Sequence, residues 1–183
     1  MSPTARHNAI NALTPSEVED LFTRLAFESG MALFRAYDVS LEPSDLEAFR
    51  KEDPVTLVSV IGFAGREVSG TLVLGATPEP LLRSKPLLAS ERDWIAELAN
   101  QLLGRIKNKA MRNGIEFYAM PPAVVSGHHL TPVFSRADFK PWVFATPGGI
   151  VCLWVEVSAA PELHVDDQLM AEDIPAEGDI LLF

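Results

Sequence analysis

Cations are missing from the C-terminal end of this chain. Residues 141–183 contain none of the 15 Lys and Arg but eight of the 25 Asp and Glu, so this stretch carries most of the formal net charge of -10. Such a balance argues against nucleic-acid binding, because phosphate contacts need clustered Lys and Arg. Cysteine is nearly absent. Cys152 stands alone, so no disulfide can form within the chain. It sits in the apolar run "IVCLWVEV", which reads as a buried, inert thiol rather than a nucleophile. No apolar run reaches the length needed to span a membrane. The N-terminal "MSPTARHNAINAL" is too polar for a signal peptide, and a cytoplasmic location is expected. No internal repeat is visible.

What is present is an ordinary globular composition, 48% hydrophobic and 22% charged over 183 residues. That length favours one domain with a sizeable core. The expected layout is a single domain over 1–160 and an acidic extension over 161–183. The extension ends in "ILLF", an apolar tip expected to dock on the body or on a partner.

The first long helix starts at Thr14, a good N-cap, with Pro15 at the first helical position and Glu17 closing a capping box. Val18, Leu21, Phe22, Leu25, Ala32, Leu33 and Ala36 share its apolar side. "DVSLEPSDLEAFRKEDP" reads as a polar connecting segment. "VTLVSVIGF" and "SGTLVLGA" are β-rich runs close enough to form an antiparallel hairpin around 64–68. "TPEPLLRSKPLL", with Pro78, Pro80 and Pro86, allows at most a short helix. A second long helix follows, capped by Ser90 with Asp93 three residues on. It buries Ile95, Leu98, Leu102 and Ile106, and stops at Asn113 and Gly114. "IEFYAM" is then a strand that "PPAVVSG" leaves. "PWVFATPGGIVCLWVEVS" is a second hairpin turning at Pro147, Gly148 and Gly149. The expected fold class is α+β (mixed α/β), with two long helices packed on a mostly antiparallel sheet.

The second long helix has an unusual outer side. A helix turns about 100° per residue, so Glu97 and Asn100 stand side by side, with Asp93 one turn before and Gly104 one turn after. Asn is only a moderate helix former, and a mid-helix Gly costs about 1 kcal/mol against Ala. Gly104 leaves a dent where another backbone could approach. Lys107 continues the face. On spacing alone, Glu-x-x-Asn is an ordinary solvated surface.

The surroundings add to that reading. "DWIAELANQLLGRIKNKAMRNGIEFYAMPPAVVSG" resembles the core of the CheX, CheC and FliY chemotaxis phosphatases, CheX above all. The family motif is Asp or Ser, three residues, Glu, two residues, Asn, then a proline about twenty residues later. Asp93, Glu97, Asn100 and the Pro121–Pro122 pair match it. The upstream "LVSVIGFAGREVSGTLVLGA" is similar to the CheX hairpin, and the match spans about residues 55 to 158. Ala99 stands where many members have Gly, and Gln101 follows the Asn. The resemblance implies hydrolysis of the aspartyl phosphate on a CheY-type response regulator. By that resemblance Asn100 orients the attacking water and Glu97 binds the regulator's Lys. Asp93, Gly104, Pro121 and Pro122 belong to the partner-binding surface, and the protein has no cofactor of its own, with Mg²⁺ on the regulator. It also implies a homodimer joined through the sheet, with "PWVFATPGGIVCLWVEVS" contributing. The motif occurs once, as in CheX. A non-catalytic adaptor of the same fold in a two-component signalling complex is the alternative.

Other chemistry is thinly supported. His128 and His129 are adjacent, but Asp138 is distant in sequence and no third metal ligand clusters with them, so an exposed loop pair is expected. Ser126 before Gly127 lacks the frame of a hydrolase elbow. Gly62, Gly65 and Gly70 do not match a phosphate-cradling loop. Trp94, Trp142 and Trp154 read as core or interface anchors.

Overall fold

The structure is a computed structural model that describes residues 12–45, 55–128, 130, 141–161 and 163–164. Helix α1 (Pro15–Arg35) begins as its sequence predicts. The Thr14 hydroxyl accepts from the Glu17 backbone N–H, and the Glu17 carboxylate accepts from the Thr14 backbone N–H at 2.8 Å. Two orphan donors of the first turn are thereby used, and Pro15 has none to satisfy. Val18, Leu21, Phe22, Leu25 and Leu33 are buried as expected, but Ala32 is half-buried and Ala36 exposed. Ala26, Ser29, Gly30 and Phe34 take the inner positions instead. The cause is packing. A Cβ at Gly30 would lie 2.8 Å from Leu153 Cδ2, so α1 presses on the sheet along the Ala26–Gly30 line. The single methyl of an alanine tolerates either side.

Strand β1 (Ala12–Leu13) precedes α1 and β2 (Glu42–Ser44) follows it; the latter lies in the segment expected to be only a connection. β3 (Leu57–Ala64) and β4 (Val68–Ala76) form the expected hairpin, and its connection is shorter than the predicted loop, with Gly65 N–H donating to Val68 O at 2.7 Å. Short helix α2 (Pro78–Ser84) is followed by α3 (Glu91–Met111). β5 (Tyr118–Ala119) and β6 (Ala123–Ser126) come next, then β7 (Trp142–Thr146), β8 (Gly149–Ala159) and β9 (Leu163–His164).

The main sheet has the order β2-β7-β8-β4-β3-β5, with β6 also on β3, and every pairing is antiparallel. β1 pairs with β9 apart from it, so the chain beyond residue 160 returns to the N-terminal segment as far as His164. The "ILLF" tip lies outside the described residues. β7 and β8 turn through Pro147 and Gly148, whose φ of 93° suits the glycine position of a type II turn.

One expectation needs correction here. "PPAVVSG" does not leave the sheet: Ala123–Ser126 pairs with β3 again, after β5 has paired with the same strand. The register shifts by one residue across Pro121 and Pro122, which cannot donate to a ladder, and this makes a bulge on an edge. The "PWVFATPGGIVCLWVEVS" run forms β7 and β8 as a hairpin, with β7 also pairing with β2 and β8 with β4.

Both long helices cover one face of the sheet. α3 inserts Ile95, Leu98, Leu102 and Ile106, all wholly buried, together with Ala99 and Leu103. Each large aliphatic side chain there contributes about 1.5–3 kcal/mol. Phe22 of α1 stacks on Phe63 of β3 with centroids 5.6 Å apart, and Phe117 closes the group 4.8 Å from Phe63. The opposite face holds a second cluster of Val55, Val73, Val143, Ile150, Cys152 and Trp154. β8 is therefore apolar on both sides, which explains its unbroken "IVCLWV" run.

Candidate functional site

Helix α3 is held at both ends by its own sequence. Ser90 Oγ accepts from the Asp93 backbone N–H at 3.1 Å, and the Asp93 carboxylate takes the Ser90 hydroxyl at 2.6 Å. This is a tighter local pair than the predicted capping box, because the carboxylate meets the hydroxyl rather than the backbone. At the other end Gly114, with φ 71°, lets Gly114 N–H reach Met111 O and Ile115 N–H reach Ala110 O. These two bonds are the Schellman stop that Asn113-Gly114 announces.

With the apolar stripe locked inward, Asp93, Glu97, Asn100 and Gly104 all emerge on the exposed side. The spacings 4, 3 and 4 keep them within about 60° of one another around the helix axis, along about 16 Å. The stripe is therefore a straight outer edge. Ala99, despite adjoining Asn100 in sequence, is wholly buried and takes up no room on that edge. A Cβ built on Gly104 would meet nothing within 4 Å. Nothing among the described residues requires glycine there.

The two polar side chains differ in their surroundings. Among the described residues the Asn100 amide has no hydrogen-bond partner. Glu97 Oε1 accepts from Gln101 Nε2 at 2.8 Å, and Gln101 Oε1 accepts from the Tyr37 hydroxyl at 2.9 Å. The Glu97–Gln101 half of that link was open to sequence reading, as a pair four apart on one helix. Tyr37, 64 residues from Gln101, gave no such signal. Lys107 leans to the sheet edge, its Nζ 5.6 Å from the centre of the exposed Tyr118 ring. Arg92 reaches Val124 O of β6 at 3.3 Å, so the start of α3 is tied to the same edge. Pro121 and Pro122 lie off the helix, at the bulge between β5 and β6, where they shape the edge strand.

Other candidates fall elsewhere. His128 is exposed; His129 and Asp138 lie outside the described residues. Among the described residues no group of three or more His, Cys, Asp or Glu could hold a metal ion. Cys152 is buried and unpaired, and burial pushes its thiol up to about 12, so it stays protonated and unreactive at neutral pH. Trp94 is buried with its indole N–H on Ser84 Oγ at 2.9 Å; Trp154 is buried in the second cluster; Trp142 is partly exposed and packs on Phe27. No described helix is long and apolar enough to cross a membrane.

No protein-family model matches the sequence, and no curated protein matches it. Solved structures do match in shape. A CheC-like superfamily protein from Shewanella sp. PV-4 superposes with a TM-score of 0.63 at 21% identity, over 76% of this chain and 98% of that one. The chemotaxis protein CheX from Vibrio vulnificus gives 0.56 at 17% identity, over 74% and 96%. The CheX–CheY–BeF₃–Mg²⁺ complex from Borrelia burgdorferi gives 0.52 at 14% identity, over 75% and 97%. With its long helices on a mostly antiparallel sheet, this chain thus has the CheC/CheX fold.

Proposed function

We propose that this protein is a CheX-like phosphatase that removes the aspartyl phosphate of a CheY-type response regulator. The observation that carries the reading is the α3 edge itself: Glu97 and Asn100 exposed in line with Gly104, a glycine for which the fold has no use. The likeness in fold to CheX proteins, one of them solved with CheY, supports the choice of partner.

The chemistry asks little beyond placement. An acyl phosphate is already activated, and holding a water in line with the scissile bond is most of the task. Asn100 suits that role because a neutral amide both donates and accepts, and does not repel phosphate. Glu97, one turn away, would repel a phosphate but attract an ammonium group, so it docks to the regulator's Lys. Gly104 leaves room for the partner's backbone to approach the helix. Mg²⁺ is expected on the regulator, and this chain supplies no cofactor. A rigid helix fixed by caps and a buried stripe keeps the two groups at constant separation.

The test mixes the purified protein with a phosphorylated CheY-type receiver and follows phosphate release. Wild type should accelerate release, and Asn100→Ala should lose on the order of 10²-fold or more of that acceleration. Equal rates for the two sink the mechanism. Receiver binding without acceleration favours the adaptor role. The homodimer is part of the same proposal. Among the described residues β2, β5 and β6 have an open strand edge. Light scattering at the monomer mass would remove it.

A further inference from the structure

Glu97 does not stand free on its helix, although it is exposed. A flexible carboxylate offered to a partner must give up its rotamers on docking, and that weakens the complex. Here the carboxylate is already held. Gln101 Nε2 donates to Glu97 Oε1 at 2.8 Å, and the other end of the same amide accepts from the Tyr37 hydroxyl at 2.9 Å. The order is directional. A reversed amide would set its oxygen against the acceptor-only carboxylate, so Glu97 takes the NH₂ end and the Tyr37 hydroxyl holds the carbonyl end in place.

Tyr37 is in turn immobilised from below. Its ring meets Trp94 edge-on, with centroids 5.0 Å apart at 87°. Its backbone N–H donates to Phe34 O at 3.0 Å. Trp94 is 5% exposed and donates through its indole to Ser84 Oγ at 2.9 Å, and Ser84 donates to Pro80 O at 2.9 Å. The buried end of this chain of contacts spans α2 and α3, and the exposed end is one oxygen of Glu97. Oε2 has no partner among the described residues.

We infer that Gln101 and Tyr37 are positioning residues that present the Glu97 carboxylate, with Oε2 turned outward, to a cationic group of the docking partner. The inference rests on the proposed function, since the cation is taken to be the receiver's Lys. A neutral amide suits this use: it orients the carboxylate without neutralising it, whereas a Lys at 101 would bind Glu97 internally and compete with the partner.

The test compares wild type, Tyr37→Phe, Gln101→Leu and Gln101→Lys on a phosphorylated CheY-type receiver. Tyr37→Phe keeps the ring on Trp94 and removes only the hydroxyl. KM should rise about 3- to 10-fold in Tyr37→Phe and Gln101→Leu with kcat unchanged, the size of one lost hydrogen bond. Gln101→Lys should raise it further. On a Glu97→Ala background Gln101→Leu should add nothing, an outcome that a merely structural role would not give. A measurement without the receiver separates the two ideas. Three-bond couplings of the Glu97 side chain should report one rotamer in wild type and an average in Tyr37→Phe. Averaged couplings in wild type, or an unchanged KM in both variants of an active enzyme, overturn the relay. A wild type with fixed couplings that neither binds nor dephosphorylates the receiver overturns the proposed function, and with it the relay's role toward a partner.

Discussion

The two long helices are matched in length at 21 residues, lie on the same sheet face, and each carries a glycine in its second half. α1 uses Gly30 to come close to β8, where a Cβ would press on Leu153. α3 has Gly104 over open space. Each glycine costs its helix about 1 kcal/mol against alanine. Close helix–sheet packing offsets that cost in α1, while nothing among the described residues offsets it in α3. The difference teaches where to look for function: at the residue that local stability disfavours and internal packing does not explain. The caps repeat the contrast. Thr14 and Glu17 close a complete reciprocal box, whereas Asp93 spends its carboxylate on the Ser90 hydroxyl, at the start of the exposed α3 edge.

The comparison can be broken in several places. The largest effect is expected at Asn100, where the alanine variant should fold normally, because the side chain is exposed, and lose most phosphatase rate. Next is Gly30→Leu. A full side chain forced between α1 and β8 should cost about 1–3 kcal/mol, read as a lower denaturation midpoint in urea. Gly104→Ala should do the reverse, gaining about 1 kcal/mol of stability. The same change should weaken receiver dephosphorylation, because the added methyl fills the dent on the docking edge. A Gly104→Ala protein that is both more stable and fully active would end the argument from open space.

The cap contrast gives a pH test. Two hydrogen bonds from Thr14, the backbone one first, hold the Glu17 carboxylate below its ordinary value of 4.5. Its folded pKa is therefore lower than its unfolded one. The cap's contribution is complete above the unfolded value and is lost as pH falls through the lower folded value. Carbon-detected titration of Glu17 should show a depressed midpoint in wild type that returns toward normal in Thr14→Ala. The smallest effect is expected at Ser29 on the inner side of α1. Its hydroxyl is buried with no hydrogen-bond partner among the described residues, so Ser29→Ala should be neutral or stabilising by up to about 1 kcal/mol.

Much of this fold is legible in the sequence. Pattern alone places both long helices, because caps and a 3.6-residue apolar period act over a few neighbours. It also places the two hairpins, where alternation and turn residues act locally. The shared exposed edge of Asp93, Glu97, Asn100 and Gly104 follows from their spacing along one helix, but a use for that edge does not. Other features are out of its reach. "EPS" carries no strand signal of its own, and β2 exists because β7 offers it an open side. The strand beyond Pro121 and Pro122 forms because β3 is long enough to pair twice, with a bulge absorbing the prolines.

By itself, then, the sequence determined the helices, the caps, the hairpins and which α3 residues face outward, since each depends on contacts within a few residues. Only the tertiary structure decided that Ala26, Ser29 and Gly30, rather than Ala32 and Ala36, line the buried side of α1, how the edge strand continues past its prolines, and that Tyr37 reaches Glu97 through Gln101. Those depend on surfaces brought together from distant parts of the chain, where side-chain volume and the position of a partner outweigh any local preference.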